Sequence, residues 1–287
     1  MKNYLKYLLA LLLFGSNGII ASQIANSGLE IVFMRTGIGV HVPATILLLG
    51  RHKFTAHKNR RSFCGIILSG VAMGLSWIML FTAYSHISVS LSSLLYYCGP
   101  VIVMLLSPAL FGEKLTLQRI CGFVLVLAGI LCVNGAAGGG SLDLTGILCG
   151  AGSTVFYAAM VIFNKKSDVT GLENSAIQIF VGFITAGVVL AVGGGLPFHV
   201  VASDIGWILL LGLVNTGIGY GLYFSTIGKL NVQTVAVCGY LEPVCAVILS
   251  ILILKEQLFP VQMLGAALII GGAMVCEGVF SGLLHKK

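Results

Sequence analysis

Ten long runs of apolar residues, separated by short polar segments, make up most of this 287-residue chain. A helix needs roughly 20 apolar residues to cross the hydrocarbon core of a bilayer, and each run approaches that length. The pattern therefore predicts an all-α integral membrane protein with ten transmembrane helices. The predicted spans cover residues 5–24, 29–50, 63–84, 89–111, 117–135, 144–164, 173–195, 204–224, 231–254 and 261–281.

The composition supports a membrane protein. Hydrophobic residues make up 57% of the chain and charged residues 9%, whereas soluble domains carry about 25% charged residues. The 38 glycines are scattered without a three-residue period, which is typical of helices packed closely in lipid. The eight cysteines lie within or beside apolar runs, without spacing suited to zinc. We expect free thiols, no metal and no cofactor.

Basic residues indicate the orientation of the chain in the membrane. With the amino terminus in the cytoplasm, the ten spans place only Lys255 outside and leave Arg35 within a span. The other 14 of the 16 basic residues fall on the cytoplasmic side. Cytoplasmic loops carry an excess of lysine and arginine, so we expect both termini in the cytoplasm. The net charge of +7 is interpreted as this topology signal, and no nucleic-acid partner is expected.

The two halves of the chain resemble each other at an offset of 143 residues. The matching positions include Tyr97, Pro100, Val101, Ser107, Glu113, Leu115, Gly122, Leu125 and Gly129, which correspond to Tyr240, Pro243, Val244, Ser250, Glu256, Leu258, Gly265, Leu268 and Gly272. We expect a tandem duplication, with five-helix repeats in residues 1–137 and 138–287. Because five is odd, the second repeat crosses the membrane in the opposite sense. Inverted repeats are typical of secondary transporters, which bind substrate near the midplane.

Glu242 is the first candidate binding residue. It lies about eleven residues into the ninth predicted span. A charge at the bilayer centre costs at least ~2.5 to 3.5 kcal/mol, so the carboxyl group should face protein or a wet cavity. It is either a partner for a substrate amine or a proton carrier. The alternative is a structural hydrogen bond to backbone freed by Pro243.

Arg35, in the second predicted span, is the second candidate. Its guanidinium could bind a substrate carboxylate through two hydrogen bonds. Alternatively, it could pair with Glu242 or Glu30 and only fix the positions of helices. If Arg35 and Glu242 face one cavity, the two could hold the opposite ends of a zwitterion.

Further candidates lie at corresponding places in the two halves. Asn17 and Tyr157 occupy the first and sixth spans, and helix-to-helix hydrogen bonding is the alternative to substrate contact. Of the aromatic residues, which include Tyr84, Tyr96, Tyr220 and Tyr223, those deepest in their spans are selected as pocket residues. These are Trp77, Tyr97 and Tyr240, with core packing as the alternative.

Two prolines and two glutamates also match between the halves. Pro100 and Pro243 fall within predicted spans, where a proline removes a backbone hydrogen bond. They are candidate hinges, and a kink that serves only packing is the alternative. Glu113 and Glu256 close the fourth and ninth spans. We expect them to cap the helix that follows, with gating contacts to the other repeat as the alternative.

Several short motifs occur in order along the chain. They are Phe14-Gly15-Ser16-Asn17, Met34-Arg35, Phe81-Thr82-Ala83-Tyr84, Pro100-Val101 through Glu113-Lys114-Leu115 to Gly122 and Gly129, and Leu241-Glu242-Pro243-Val244 through Glu256-Gln257-Leu258 to Gly265 and Gly272. Together they resemble the EamA family of the drug/metabolite transporter superfamily, over nearly the whole chain. The resemblance implies a bacterial inner-membrane protein of ten helices in two inverted repeats. It also implies an exporter of amino acids or related small metabolites.

The sequence favours a secondary transporter that works by alternating access. The chain has no phosphate-binding glycine-rich loop, so a gradient should supply the energy, with protons as a candidate coupling ion. A membrane-embedded enzyme would need a convergent set of catalytic groups, and a non-transporting scaffold would not need Glu242. We expect no enzymatic activity, a small-molecule substrate, contact with membrane lipid and a monomeric functional unit, with a dimer as the alternative.

Overall fold

The computed structural model describes residues 2–50, 59–111, 116–135, 143–195, 197–227, 230, 238–239 and 241–276. All regular secondary structure in these ranges is helical, which confirms the prediction of an all-α protein for this part of the chain. The α-helices are α1 (Lys2–Gly15), α2 (Asn17–Ala21), α3 (Gly28–Gly39), α4 (His41–Leu49), α5 (Arg60–Tyr84), α6 (Val89–Tyr96), α7 (Gly99–Phe111), α8 (Leu117–Gly135), α9 (Leu144–Lys165), α10 (Gly171–Val192), α11 (Ile205–Leu209), α12 (Gly219–Ile227), α13 (Leu241–Ile253) and α14 (Pro260–Cys276). A 3₁₀ turn (Ala202–Asp204) precedes α11, and a π-helix (Leu210–Ile218) joins α11 to α12.

Six helical stretches of the described chain are long and apolar enough to cross a membrane. They are Asn3–Ala21, Gly28–Leu49, Arg60–Tyr84, Leu144–Lys165, Gly171–Val192 and Ala202–Tyr223, and each coincides with a predicted span. The remaining four predicted spans contain the shorter apolar helices Val89–Val103, Ile120–Gly129, Leu241–Ile253 and Pro260–Val275. The chain is therefore a multi-pass membrane protein, and the count of ten crossings stays a prediction.

Side chains fix where several helices begin. Ser27 and Glu30 form a capping box at the start of α3, in which each side chain accepts the other residue's backbone N–H. Asp143 caps α9 by accepting the Gly146 N–H, and His86 Nδ1 lies 2.8 Å from the same carboxylate. The bond to His86 and the helix amide hold the pKa of Asp143 below its ordinary value. These contacts tie the start of α9 to the turn after α5.

The two ends of the helix bundle can be named from α9. This helix has 22 residues, which makes it about 33 Å long. Its first turn meets His86 at what we call the Asp143 end, and its last turn carries Lys165 at the opposite, Lys165 end. Asn59, which caps α5, binds Asp168 and therefore also lies at the Lys165 end.

The packing of the long helices encloses a central space. α5 packs on α9 and α10, α3 on α5, α10 and the π-helix, and α1 on α12 and α13. α6 packs between α9 and α13. Buried apolar side chains from α3, α5, α10 and the π-helix form the main core, among them Val32, Phe81, Ile179 and Leu211. Elements from both halves of the sequence thus surround the space.

Pro100 occurs in the first turn of a helix rather than in the middle of one, and Pro243 lies near the start of the described part of α13. α6 ends at Tyr96 and α7 begins at Gly99, so the fourth predicted span is interrupted just before Pro100. Proline has no N–H to donate to the carbonyl four residues earlier, here that of Tyr96. Pro243 is the third residue of α13. The hinge role of both prolines stays a prediction.

Glu256 caps a helix, but not the one expected. Its carboxylate accepts the Val89 N–H at the start of α6, which belongs to the other half of the sequence. The expectation was that Glu256 would cap α14, the helix that follows it in the chain. The following helix instead begins with the Gln262 side chain accepting the Phe259 N–H. The expected cap of α14 by Glu256 is therefore replaced by a contact between the halves. Glu113 lies outside the described residues.

Matched glycines bring α8 and α14 into close contact. A Cβ added at Gly129 would lie 2.7 Å from the Gly265 carbonyl oxygen, and one added at Gly272 would lie 2.7 Å from that of Gly122. Gly129 matches Gly272, and Gly122 matches Gly265, at the repeat offset. The two contacts are therefore reciprocal, and no larger residue fits at either Gly129 or Gly272 without separating the helices.

Gly129→Ala should lower the midpoint of thermal unfolding in detergent micelles, because the added methyl group forces α8 and α14 apart. We expect a cost of about 1–3 kcal/mol, as for other overpacked sites. Gly271→Ala, one residue from Gly272, is the matched control because a Cβ there meets nothing within 4 Å. Equal midpoints for the two variants would contradict the close contact.

Candidate functional site

A cavity of about 530 Å³ occupies the central space. Its size is within the range of about 300–1,000 Å³ that is usual for small-molecule sites. Six of the seven binding residues predicted from the sequence line it, namely Asn17, Arg35, Trp77, Tyr97, Tyr157 and Glu242. The seventh, Tyr240, lies outside the described residues. The structure thus brings together side chains from five helices and from the turn after α6.

Arg35 lies on the cavity wall without a carboxylate partner. It is 1% exposed, and its Nε donates to Thr216 Oγ1 at 3.0 Å. The guanidinium carbon lies 4.7 Å from the ring centre of Trp77 and 4.8 Å from that of Phe81. Within the described chain, Arg35 Nη2 has no hydrogen-bond partner and the guanidinium forms no ion pair. The ring faces stabilise the cation, but a donor remains unused.

The alternative that Arg35 pairs with Glu30 or Glu242 is not what the structure shows. Glu30 accepts hydrogen bonds from Asn26 and from the Ser27 backbone in the cap of α3. Glu242 faces the same cavity as Arg35 without forming an ion pair with it. Arg35 and Glu242 therefore line one cavity without forming a direct ion pair.

The π-helix positions the partner of Arg35. Thr216 Oγ1 donates to the Leu211 carbonyl at 2.8 Å, five residues earlier, so its oxygen is directed to accept from Arg35. The wide turn of a π-helix allows this geometry, and such turns are frequent at functional sites. Gly39 lets α3 approach closely, since a Cβ there would lie 2.6 Å from Thr216 Cγ2.

Asn215, next to Thr216, ties the π-helix to the first span. Its Nδ2 lies 2.7 Å from the Leu13 carbonyl, 2.9 Å from Ser16 Oγ and 3.0 Å from Asn17 Oδ1. Asn17 therefore makes the helix-to-helix hydrogen bond that was the alternative for it, while it also lines the cavity.

Glu242 lies in the first turn of α13, on the opposite half of the sequence from Arg35. Its carboxyl group lies close to the Tyr97 hydroxyl, and both side chains line the cavity. α1 packs directly against this turn because Gly15 has no side chain. A Cβ at Gly15 would lie 2.9 Å from the Glu242 carbonyl oxygen and 2.8 Å from Cys245 Cβ.

The family model for the EamA-like transporter family matches residues 1–135 and 144–276. The chain belongs to this family. Membership agrees with the order of motifs and with the multi-pass helical fold, and the family is one of transporters. The two matched segments together cover nearly the whole EamA chain.

Relatives of this EamA protein are similar along most of their length. It is 24% identical to the uncharacterized transporter YxxF of Bacillus subtilis (strain 168) over 285 residues, which cover 93% of this chain and 87% of the relative. It is 27% identical to a probable amino-acid metabolite efflux pump of Escherichia coli (strain K12), over 69% of each chain. A solved crystal structure superposes with a TM-score of 0.67 at 19% identity, covering 96% of this chain and 98% of that one. The last likeness shows a shared fold.

Aromatic rings form the apolar walls of the EamA cavity. The ring centre of Tyr220 lies 4.8 Å from that of Phe14 and 5.6 Å from that of Trp77. On the other side, Tyr96 lies 5.0 Å from Tyr157 and 5.4 Å from Tyr97. Four other tyrosines also line the cavity, although they were not selected as pocket residues from the sequence. They are Tyr84, Tyr96, Tyr220 and Tyr223.

The sequence did not predict the polar lining residues Ser93, Asn164 and Gln178, nor the two polar residues behind the wall that position Arg35 and Asn17. Asn215 and Thr216 lie near the middle of the eighth predicted span, and they are 1% and 0% exposed. Glu242 was recognised as a candidate because it is a polar residue in the middle of a span. Asn215 and Thr216 share this feature, so they could have been recognised in the same way. Their partners could not have been predicted, because the π-helix that directs Thr216 has no marker in the sequence pattern.

Thr216→Val should lower the midpoint of thermal unfolding, because it leaves Arg35 Nε buried without an acceptor. The expected cost is about 1–3 kcal/mol. Thr216→Ser keeps the hydroxyl and should recover most of it. In an Arg35→Leu background, Thr216→Val should cost much less, since the donor that it leaves unpaired is gone. An equal cost in both backgrounds would show that the two residues are not coupled.

Proposed function

We propose that this EamA protein is a secondary transporter that exports amino acids or related small metabolites across the bacterial inner membrane by alternating access. The observation that carries the proposal is one cavity lined by Arg35, with an unused donor, and by Glu242, with which it forms no ion pair. A zwitterion offers the complementary pair of charges. Its carboxylate would accept from Arg35 Nη2, and its ammonium group would bind the Glu242 carboxylate.

Charge and desolvation favour this class of substrate over neutral solutes. The cost of burying Arg35 has already been met within the fold by Thr216 and by the faces of Trp77 and Phe81. A carboxylate that enters gains a charge-assisted hydrogen bond without further reorganisation of the wall. The name of the Escherichia coli relative, a probable amino-acid metabolite efflux pump, supports the same class.

The distribution of charge supports an orientation with the Lys165 end in the cytoplasm. Arg60, Arg61, Lys165 and Lys166 lie together at that end, next to the contact between Asn59 and Asp168. Lys255 lies in the turn after α13, at the Asp143 end. By the positive-inside rule, this distribution supports a cytoplasmic position for both termini. The reciprocal contacts of Gly129 and Gly272 support two five-helix repeats of opposite orientation.

The cavity is oriented for uptake of substrate from the cytoplasm. Its lining continues along the last turns of α9 through Met160, Asn164 and Lys165 and includes Gln178 of α10. At the Asp143 end, Asp204 accepts the Ala25 N–H at 2.8 Å, and Asn26 donates to the His199 carbonyl at 2.9 Å. Because one chain supplies the whole lining, we propose a monomeric functional unit.

Counterflow in proteoliposomes tests the proposal. Vesicles loaded with unlabelled amino acids should accumulate labelled amino acid through the wild-type protein. Glu242→Gln and Arg35→Gln should each reduce saturable exchange at least tenfold, since each removes a charge-assisted hydrogen bond to the substrate. Repeating the assay with and without a pH gradient separates proton coupling from facilitated diffusion.

Glu30→Gln is the matched control for these variants. It also neutralises a glutamate, but Glu30 does not line the cavity, and a glutamine can preserve the capping box. Its exchange should equal that of wild type. Exchange that survives in both Glu242→Gln and Arg35→Gln would reject the proposed site. Exchange of sugars or purines but not of amino acids would reject the substrate class.

Pro100→Ala tests the proposed hinge between α6 and α7. Alanine restores a backbone N–H and favours a continuous helix across the interruption, so the helix should bend less readily. We expect a severalfold lower maximum rate of exchange, with little change in the half-saturating concentration. Pro260→Ala, at the first position of α14 and outside the cavity, should leave both quantities unchanged. An unchanged maximum rate for Pro100→Ala would reject the hinge.

A further inference from the structure

The carboxylate of Glu256 holds the start of α6 from the other half of the chain. One oxygen accepts the Val89 N–H at 2.7 Å. The other accepts the Ser90 N–H at 3.2 Å and the Ser90 hydroxyl at 2.7 Å. Ser90 also shares a hydrogen bond with Ser250 of α13, and both serines are completely buried. We call this set of contacts the Glu256 latch.

The backbone of the turn after α13 directs Glu256 towards α6. The amides of Leu254 and Glu256 both lie within hydrogen-bond distance of the Ser250 carbonyl, at 3.0 and 3.3 Å. Between them, Lys255 has a φ of 55°, in the left-handed region that usually favours glycine. Such backbone strain persists only where surrounding contacts over-determine it. Here the contacts of Glu256 with α6 supply that constraint.

The latch lies between the cavity and the Asp143 end of the bundle. Val89, which it holds, packs under α2, because a Cβ at Gly18 would lie 2.4 Å from Val89 Cγ1. Further along α6 and just after it, Ser93, Tyr96 and Tyr97 line the cavity. The latch therefore joins α6, which leads directly into Tyr97, to α13, which carries Glu242, on the side where the cavity is covered.

The hydrogen bonds of the latch can hold this side of the cavity closed, and the carboxylate is exposed enough for water to replace them when the side opens. Hydrogen bonds to an ionised carboxylate are roughly twice as strong as neutral ones. Glu256 itself remains partly exposed, so water can replace the three donors when α6 moves away. Within the described chain the carboxylate forms no ion pair, and its stabilisation therefore depends on the α6 donors.

We propose that Glu256 is a positioning residue of the gate on the Asp143 side of the cavity. Its hydrogen bonds to Val89 and Ser90 hold this side closed, and they must break before substrate leaves there. The role in substrate release rests on the proposed transport function. The closure itself does not, and it can be measured without a substrate.

The first test measures access to the cavity. A cysteine introduced at Ser93, which lines the cavity and is 3% exposed, is labelled in right-side-out vesicles with a membrane-impermeant methanethiosulfonate. The native chain with its eight cysteines gives the background. Adding Glu256→Gln should raise the labelling rate about tenfold, because an amide nitrogen cannot accept the Ser90 donors. Gln257→Ala, one residue away, should leave the rate unchanged.

The second test fixes the latch closed. Ser90 and Ser250 already touch through their hydroxyl groups, so cysteines at both positions should form a disulfide on oxidation. The disulfide should abolish counterflow and labelling of Ser93→Cys, and a reductant should restore both. Ser90→Cys and Ser250→Cys alone should keep counterflow under oxidising conditions. The disulfide experiment still tests the gate if Glu256→Gln folds poorly.

The outcomes separate the gate from the transport proposal. Unchanged labelling in Glu256→Gln, or full counterflow through the oxidised double-cysteine protein, would overturn the gate. Labelling that rises in Glu256→Gln and disappears in the disulfide form would support it, even if no solute exchanged. If no solute exchanged, the proposed transport function would be rejected, but the gate would still be supported.

Discussion

The site depends on a buried arginine that no carboxylate among the described residues neutralises. Arg35 is stabilised by two aromatic faces and by the Thr216 hydroxyl, and its Nη2 has no partner in the described chain. A direct ion pair with Glu242 would satisfy both charges and leave no reason for a ligand to bind. Because the two side chains instead line one cavity without an ion pair, the free energy of their neutralisation remains available to a ligand.

The helices have to pack closely to hold Arg35 and Glu242 in these positions on the cavity wall. Gly15 allows α1 to lie against the backbone of Glu242, and Gly39 allows α3 to lie against Thr216. Asn215 then links the π-helix to α1 and to Asn17. In lipid, close backbone approach and hydrogen bonds between helices replace the hydrophobic effect as the forces that hold a bundle together. The glycines and amides around the cavity are thus as necessary to its shape as the residues facing it.

Position within a span was enough to predict six of the residues that line the cavity, since a polar residue at mid-membrane is expected to face protein or water. This reasoning identified Glu242, Arg35 and Trp77, which share the cavity. It did not identify the role of Thr216, because the π-helix reflects tertiary packing that no periodicity reveals. It also assigned Glu256 to α14 instead of α6. A cap can be predicted from the sequence when the helix is adjacent along the chain, but not when folding brings a distant helix to the same place.

The two ends of α6 connect the latch to the cavity. This helix has eight residues and is about 12 Å long, so a displacement at Val89 is carried to Tyr96 and Tyr97 almost rigidly. Tyr97, just after α6, lies close to Glu242 in the cavity, and Glu242 and Glu256 lie at the start of α13 and just beyond its end. α6 and α13 therefore meet at the cavity, through Tyr97 and Glu242, and at the latch, through the hydrogen bonds to Glu256. In the proposed transport cycle, a substrate ammonium that displaces Tyr97 from Glu242 weakens the first connection and leaves the latch as the hydrogen-bonded connection between α6 and α13. Binding at the centre and opening at the Asp143 end would then be coupled through one short helix.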